Sequence, residues 1–200
     1  MKDLLHKKDE KKKARHVRAL YTDKLEIPIE HIDREDEPFA TGKVGTDVYR
    51  ATYQGEKVAM KVVQRKQRRV DREFQEKQFK KEIAVQASLF APRVVKIYGA
   101  CTREKDCLVV VMEFAAQRSL RDVLDRRHPL APAERVRVLL DVAYALEYMH
   151  SQDPAAVHGD LKSPNILVMH DGAAKVADFG CARTRTLTSS SSSEPTTGRR

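Results

Sequence analysis

The first half of the chain alternates hydrophobic and polar positions with the period of β-strands. Residues 39–63 read as a strand-turn-strand followed, after the polar turn Gln54-Gly55-Glu56, by a third strand. Residues 64–90, which follow the third strand, are polar at first and then have helical periodicity. Two further strands are predicted after them, at residues 94–98 and 108–114. The pattern therefore predicts a five-stranded antiparallel sheet with one helix in the amino-terminal half.

The second half is predominantly helical. An apolar stripe with helical spacing begins near Pro132-Ala133-Glu134 and ends near His150; its members are Val136, Leu139, Leu140, Ala143 and Leu146. Two short strands, residues 166–168 and 175–177, flank a turn at Asp171-Gly172. Beyond Ala182 the periodicity stops, and the run Ser189 to Ser193 predicts a disordered tail.

The net charge of +9 is concentrated in two segments rather than on one predicted face. Residues 1–18 hold eight Lys or Arg against three acids, and residues 61–81 hold nine against three. Such runs are more often solvated surfaces than nucleic-acid sites, so no nucleic-acid partner is expected. The sequence predicts a basic arm at residues 1–35, a folded domain at 36–184 and a Ser/Thr-rich tail at 185–200.

The three cysteines and the hydropathy profile favour an intracellular, most simply cytoplasmic, protein. Cys101, Cys107 and Cys181 have neither zinc-ligand spacing nor the even number of a disulfide framework. Charged residues follow Met1, which argues against a signal peptide, and no apolar run has the length of a membrane span. The oligomeric state is not predicted by any of these features.

The segment His158-Gly159-Asp160-Leu161-Lys162-Ser163-Pro164-Asn165, followed by Asp178-Phe179-Gly180, carries the clearest chemical signal. It supplies a carboxylate, a lysine and a carboxamide within six residues, and a second carboxylate eighteen positions later. Phosphoryl transfer from ATP requires this set of groups. Asp160 would receive the substrate hydroxyl proton, Lys162 would steady the phosphoryl group, and Asn165 and Asp178 would hold magnesium.

Two features nearer the amino terminus fit a nucleotide site. Gly42 and Gly45 lie between predicted strands, where small residues let backbone amides approach phosphates, although an ordinary hairpin turn has the same appearance. Lys61 ends the apolar strand Val58-Ala59-Met60-Lys61, and a lysine there is costly to bury unless a carboxylate pairs with it. Glu82 on the following helix is the candidate, the alternative being two unrelated surface charges.

These motifs resemble the eukaryotic protein kinase family, and most closely its tyrosine-kinase-like group of Ser/Thr kinases. The resemblance covers residues 36–184 and rests on five groups of residues: Val48 with Val58-Ala59-Met60-Lys61, Tyr98-Gly99-Ala100-Cys101, Leu146-Glu147-Tyr148-Met149-His150, residues 158–165 with Ile166-Leu167-Val168, and Asp178-Phe179-Gly180. It implies an α+β, bilobal fold whose carboxy-terminal lobe is helical.

The resemblance also implies a role for each matching residue. Lys61 would contact the α- and β-phosphates with Glu82 as its partner, and Asp160 would act as the catalytic base. Met112 would lie at the back of the adenine pocket, and backbone groups of Glu113 and Ala115 would meet the adenine edge. Three apolar side chains would sandwich the ring: Val48, Ala59 and Leu167. The implied cofactors are ATP and magnesium, and the implied partner is a protein substrate whose identity the sequence does not give.

The chain departs from the family pattern in four places. Gly159 stands where an arginine is usual, Gln86 where an apolar residue is usual, Ala40 replaces the first glycine of the phosphate loop and Asp47 resembles an insertion. No Ala-Pro-Glu segment follows Asp178-Phe179-Gly180, so the carboxy-terminal lobe is expected to be incomplete. The expected activity is that of a Ser/Thr protein kinase, but these 200 residues alone are expected to bind ATP weakly and to phosphorylate protein little or not at all. The alternatives are a nucleotide-binding or scaffolding pseudokinase and an inactive fragment.

Overall fold

The computed structural model describes residues 24–42, 45–126 and 130–185. Its ten strands are β1 (Ile32–Arg34), β2 (Ala40–Thr41), β3 (Thr46–Tyr53), β4 (Glu56–Gln64), β5 (Ile97–Cys101), β6 (Cys107–Glu113), β7 (Ala155–Val157), β8 (Ile166–Val168), β9 (Ala174–Val176) and β10 (Arg183–Arg185). Its helices are α1 (Arg69–Ala87), α2 (Leu120–Leu124) and α3 (Pro132–Ser151), with short 3₁₀ turns at Ile29–His31 and Ser163–Asn165. The serine run and residues 1–23 of the predicted arm lie outside the described residues.

The amino-terminal half forms the antiparallel sheet expected from the sequence. Five strands follow the order β1-β3-β4-β6-β5, and the short strand β2 pairs with β3 beside this path. Side chains along β4 alternate between the two faces of the sheet. Val58 and Met60 point to one face and join a core cluster, whereas Ala59 and Lys61 point to the other face, which lines a cleft. The sheet therefore supplies one wall of the cleft.

Among the boundaries that differ from the sequence prediction, two change which segments belong to the sheet. The fifth strand begins at Ile97 rather than residue 94, because Val95 leaves the sheet and donates its N–H to the Val176 carbonyl at 2.9 Å. The arm was predicted to end at residue 35, yet β1 pairs with β3 and Ile32 is buried opposite Tyr53. Part of the predicted arm therefore belongs to the sheet.

Helix α1 packs against the sheet through its second half. Phe79 and Ile83 are buried one turn apart against β5 and β6, whereas Val70 and Phe74 near the start of the helix are exposed. Because the buried face contains Phe79 and Ile83, it turns the side chain of Glu82, which precedes Ile83, toward the edge of the cleft.

Helix α3 packs against the rest of the carboxy-terminal half through a face other than the apolar stripe predicted from the sequence. Its buried residues recur at intervals of three and four: Val138, Asp141, Ala145 and Met149. The stripe members Val136, Leu139 and Leu140 are exposed among the described residues. The two hairpin strands β8 and β9 pack beside α3. They follow residues 158–165, which are called the catalytic segment below after the role predicted for them from the sequence.

Buried Asp141 joins helix α3 to two other segments. One carboxylate oxygen pairs with Arg93 at 2.7 Å, and the other accepts the Ala174 N–H at 2.8 Å. Arg93 in turn offers its carbonyl to the Val176 N–H at 2.9 Å. Asp141 therefore connects the segment that follows α1 to the strand that precedes Asp178.

Among the described helices, none combines the length and apolar character needed to cross a bilayer.

Removing the Asp141 carboxylate should destabilise the fold. In Asp141→Ala both the Ala174 N–H and the guanidinium of Arg93 lose their acceptor, and we expect a loss of about 2 kcal/mol in the free energy of unfolding. Urea denaturation followed by circular dichroism measures the change. Asp125→Ala is the control, because it removes only an exposed pair with Arg121 within one helical turn; it should cost less than about 0.5 kcal/mol. Equal effects of the two substitutions would contradict the role of Asp141.

Candidate active site

A cleft of about 1000 Å³, including its open mouth, lies between the sheet and the carboxy-terminal half. The structure brings ten of the predicted site residues to its lining: Val48, Ala59, Lys61, Glu82, Met112, Glu113, Ala115, Asn165, Leu167 and Asp178. These residues come from six different segments, so the cleft is a product of the tertiary fold.

The lining is apolar at one end and charged at the other. Strand register places Lys61 opposite Val48 on one side and Val110 on the other, and Ala59 opposite Met112. Leu167 packs on a small buried cluster with Ala115 on the opposite wall. The apolar end can therefore accept a flat ring between two aliphatic surfaces.

Lys61 and Glu82 form an ion pair at the charged end. The Lys61 Nζ lies 3.5 Å from the Glu82 Oε1, and each side chain keeps about a quarter of its exposure, 25% and 22%. Partial burial strengthens the attraction between the two charges relative to a surface pair. Lys61 is thus held with its ammonium directed into the cleft.

Asp178 faces the cleft because its neighbour faces the core. Phe179 is 1% exposed and its ring lies 5.0 Å from the ring of buried His158. The backbone of Asp178 is left-handed, with φ of +65°, which an aspartate tolerates better than most residues. This local conformation separates the two side chains, so Asp178 joins the charged end of the cleft while Phe179 anchors the turn.

Hydrogen bonds made by His158 and Asn165, near the two ends of the catalytic segment, hold it in place. His158 bonds the Ala177 carbonyl through Nε2 at 2.9 Å and accepts the Asp160 N–H on Nδ1 at 3.3 Å. Asn165 donates its amide to the Asp160 carbonyl at 2.9 Å and to the carboxylate at 3.2 Å. The position of Asp160 is therefore set relative to the strand that carries Asp178.

Asp160 and Lys162 form a close ion pair at the solvent side of this segment. The Lys162 Nζ lies 2.6 Å from the Asp160 Oδ2. The hydrogen bond from Lys162 lowers the pKa of Asp160 below its ordinary value, and the same bond raises the pKa of Lys162. Asp160 is thus ionised at neutral pH and can accept a hydrogen bond from a hydroxyl.

Asn165 and Asp178 offer the oxygen ligands that magnesium prefers. Because Asn165 donates its nitrogen to Asp160, its carboxamide oxygen remains available as a ligand. The described residues contain no group of three or more His, Cys, Asp or Glu side chains placed to hold a metal ion. Two protein oxygens fit magnesium nonetheless, since this ion commonly completes its shell with water and substrate phosphates.

The glycine hairpin lies between β2 and β3. Gly42 is exposed and donates its N–H to the Thr46 carbonyl at 2.8 Å. Gly45 has φ of +78°, a conformation that L side chains rarely adopt. Neither glycine belongs to the cleft lining, while Ala40 of the same hairpin does. Asp47 pairs with Val62 and Thr41 within the sheet, so it continues the strand rather than interrupting it.

Gly159 is required by the backbone. Its φ is +80°, and a Cβ built there would lie 2.6 Å from the Cys181 carbonyl oxygen, closer than real Cβ atoms approach. The catalytic segment and the residue after Asp178-Phe179-Gly180 therefore touch through their backbones. The sequence identifies Gly159 only as a missing arginine; the structure shows that no side chain fits this position without movement.

A cluster at the mouth of the cleft was not predicted from the sequence. Arg118 donates to the Phe39 carbonyl at 2.6 Å and lies over its ring at 4.5 Å, and this ring also meets Phe114 at 5.2 Å. Arg118 adopts φ of +68°, and no sequence signal announces that conformation. The neighbouring Ser119 and Asp122 form a capping box, which their spacing could have identified.

Glu113 has a side-chain role in addition to the backbone role expected of it. Its carboxylate pairs with Lys175 on β9 at 2.5 Å, and both side chains are largely buried. The Glu113 N–H donates to the Lys96 carbonyl at 2.9 Å. The strand that ends at the cleft is therefore connected directly to the carboxy-terminal half.

Known proteins are similar to most of this chain. A family model described as protein kinase domain matches residues 36–198. The Serine/threonine-protein kinase CTR1 of Arabidopsis thaliana is 33% identical over 179 residues, which cover 88% of this chain and 21% of the relative. The Serine/threonine/tyrosine-protein kinase HT1 of the same plant is 35% identical over 145 residues, covering 71% and 36%.

A probable serine/threonine-protein kinase of Dictyostelium discoideum is 31% identical over 179 residues, which cover 86% of this chain and 17% of the relative. The chain thus spans between 17% and 36% of the length of these three relatives.

Adding one methyl group at Gly159 should be more disruptive than adding it at another left-handed glycine. Gly55 has nearly the same φ, +81°, but open space around its Cβ position. Gly55→Ala should cost about 1–2 kcal/mol from backbone strain alone. Gly159→Ala should cost more, because the Cys181 backbone must also move. Urea denaturation of both variants gives the comparison, and equal losses would mean that the contact with Cys181 is unimportant.

Proposed function

This chain belongs to the protein kinase family, within its tyrosine-kinase-like group, and we propose that it binds ATP with magnesium and phosphorylates protein serine or threonine hydroxyls. One observation carries the proposal: the Lys61–Glu82 pair, Asn165 and Asp178 meet in a single cleft beside the catalytic segment. All six polar positions predicted for phosphoryl transfer are occupied by the expected residue types. The pseudokinase alternative therefore gains no support from these positions.

The apolar end of the cleft is the adenine site in this proposal. Val48 and Ala59 on the sheet side and Leu167 on the opposite wall would contact the two faces of the ring. Backbone groups of Glu113 and Ala115 would contact its polar edge. Met112, paired with Ala59 in the sheet, would lie at the back of this pocket and limit its depth.

The charged end would hold the phosphates. Lys61 would contact the α- and β-phosphates, and the ion pair with Glu82 would hold the Lys61 ammonium in position for this contact. Backbone groups of Gly42 and Gly45 would approach the phosphates from the sheet side. Asn165 and Asp178 would hold magnesium, which when bound neutralises negative charge on the phosphate oxygens.

Asp160 is the group to which we assign the substrate hydroxyl. Its carboxylate is ionised, since the hydrogen bond from Lys162 lowers its pKa, and it can orient the hydroxyl and accept its proton. The substrate oxygen bonds to the γ-phosphorus as the bond to the β–γ bridging oxygen breaks, and ADP leaves. Lys162 lies close enough to Asp160 to steady the transferring group. Catalysis of this kind depends chiefly on positioning and electrostatic stabilisation.

The identity of the protein substrate is not part of this proposal, and no nucleic-acid partner is proposed. We place the protein in the cytoplasm, a proposal supported by its thiols. All three cysteines are free, and Cys181 is exposed, as is usual in a reducing compartment. Burial raises the pKa of the Cys101 thiol to about 12, so that residue is unreactive at neutral pH.

Calorimetric titration of the chain with ATP, in the presence and absence of magnesium, tests the nucleotide site. We expect ATP to bind and magnesium to strengthen the binding. Asp178→Asn should reduce the magnesium effect by about tenfold or more, because a charged oxygen ligand is lost. Asp160→Asn should leave binding nearly unchanged, and any transfer of labelled phosphate to a generic Ser/Thr substrate protein by the wild-type chain should be lost in this variant. An absence of ATP binding by the wild-type chain would refute the proposal.

Lys61→Met tests the phosphate contact. A charged hydrogen bond to phosphate is lost, and we expect ATP affinity to fall by about ten- to a hundredfold. Lys57→Met is a matched control, because Lys57 lies on the same strand and is exposed outside the cleft. It should bind ATP as the wild type does. Unchanged affinity in Lys61→Met, measured by the same titration, would remove Lys61 from the site.

A further inference from the structure

Gln86 is a buried polar residue on helix α1 that the assigned mechanism does not use. It is 5% exposed, lies one helical turn after Glu82 and lines the back of the cleft. Its Nε2 donates a hydrogen bond to the Val95 carbonyl at 2.8 Å. The bond leaves the helix and reaches the segment that connects it to β5, so it constrains the helix in a direction that its own backbone bonds do not.

Val95 is itself fixed to the carboxy-terminal half. Its N–H donates to the Val176 carbonyl at 2.9 Å, and the Val176 N–H returns a bond to the Arg93 carbonyl at 2.9 Å. Arg93 is also paired with buried Asp141. The atom to which Gln86 is bonded therefore belongs to a segment that cannot shift without breaking contacts in the other half of the molecule.

The series of hydrogen bonds that begins at Gln86 reaches residues close to the proposed metal ligands, Asn165 and Asp178. Val176 lies two residues before Asp178, and Ala177 between them donates its N–H to the Asn165 carbonyl at 2.9 Å. A Cβ added to Gly180 would lie 3.4 Å from both the Asp178 Oδ1 and the Glu82 Oε2. Glu82 and Asp178 are thus neighbours in space. Through its bond to Val95, Gln86 links helix α1, which carries Glu82, to strand β9, which precedes Asp178.

We propose that Gln86 is a positioning residue that holds helix α1 in register with the strand leading to Asp178, and so aligns the phosphate and magnesium half of the nucleotide site. An apolar side chain at this place would fill the same volume but would supply no directional bond and would leave the Val95 carbonyl without its partner. This inference rests on the proposed function, since it assigns Gln86 a role in the same cleft.

The adenine half should be insensitive to Gln86. Its contacts come from β3, β4, the end of β6 and β8, and none of them lies on helix α1. The loss of the Gln86 bond should therefore affect a ligand with phosphates and spare one without them. A purely structural role would weaken both ligands equally, so the difference between them separates the two explanations.

Gln86→Leu measured against Mg-ATP and adenosine tests the proposal. We expect Mg-ATP affinity to fall by about five- to tenfold, in keeping with the loss of one buried hydrogen bond. Adenosine affinity should change by less than about twofold. Gln86→Met, a second variant without the donor, should behave in the same way. Gln78→Leu makes the same chemical change at an exposed position of the same helix and should alter neither affinity.

Amide hydrogen exchange across residues 80–87 provides a readout that needs no ligand. Faster exchange is expected in Gln86→Leu and Gln86→Met but not in Gln78→Leu, because the second half of the helix loses its connection to Val95. Equal weakening of both ligands, or no change in either, would overturn the positioning role. If the wild-type chain bound neither ligand, the proposed function would fail by itself; unchanged exchange in the Gln86 variants would then also refute the connection to Val95.

Discussion

The hydrogen bond between Val95 and Val176 is the contact on which the geometry of the cleft depends. It joins the segment after helix α1 to the strand before Asp178, and so joins the two halves of the molecule behind the site. Asp141 reinforces it by binding Arg93 and the Ala174 N–H with the same carboxylate. Since the proposed nucleotide contacts come from both halves, their separation can be constant only while this junction holds.

Several charged and polar side chains of the site are bonded to one another in the absence of a ligand. Glu82 holds Lys61, Lys162 holds Asp160, and Asn165 bonds Asp160 through its amide nitrogen. No buried side-chain nitrogen or oxygen of the described residues lacks a partner. Such pairing lowers the cost of keeping charges in a partly enclosed cleft and preorganises them for a phosphate ligand. The ion pairs therefore serve positioning more than overall stability.

Some features of the fold could be predicted because they are local. Pro132 and the apolar period after it predict the start of helix α3 at the observed residue, and Asp171-Gly172 predicts the β8–β9 turn. The spacing of Asp160, Lys162 and Asn165 predicts a compact catalytic segment, since residues so near in sequence must be near in space. The start of β5 could not be predicted, because Val95 is drawn out of the sheet by Val176, 81 positions away in the chain.

The sequence by itself determined the family, the order of the longer strands and helices, and the chemical types available for phosphoryl transfer, because these follow from motifs and from local periodicity. Only the tertiary structure decided why Gly159 is glycine, since the reason is the Cys181 carbonyl at the place of its Cβ. It likewise decided that Gln86 bonds Val95 and that Arg118 meets Phe39. Each of these contacts either joins residues that are distant in sequence or depends on an unusual backbone angle. The pattern of hydrophobic positions along the chain predicts neither distant contacts nor unusual backbone angles.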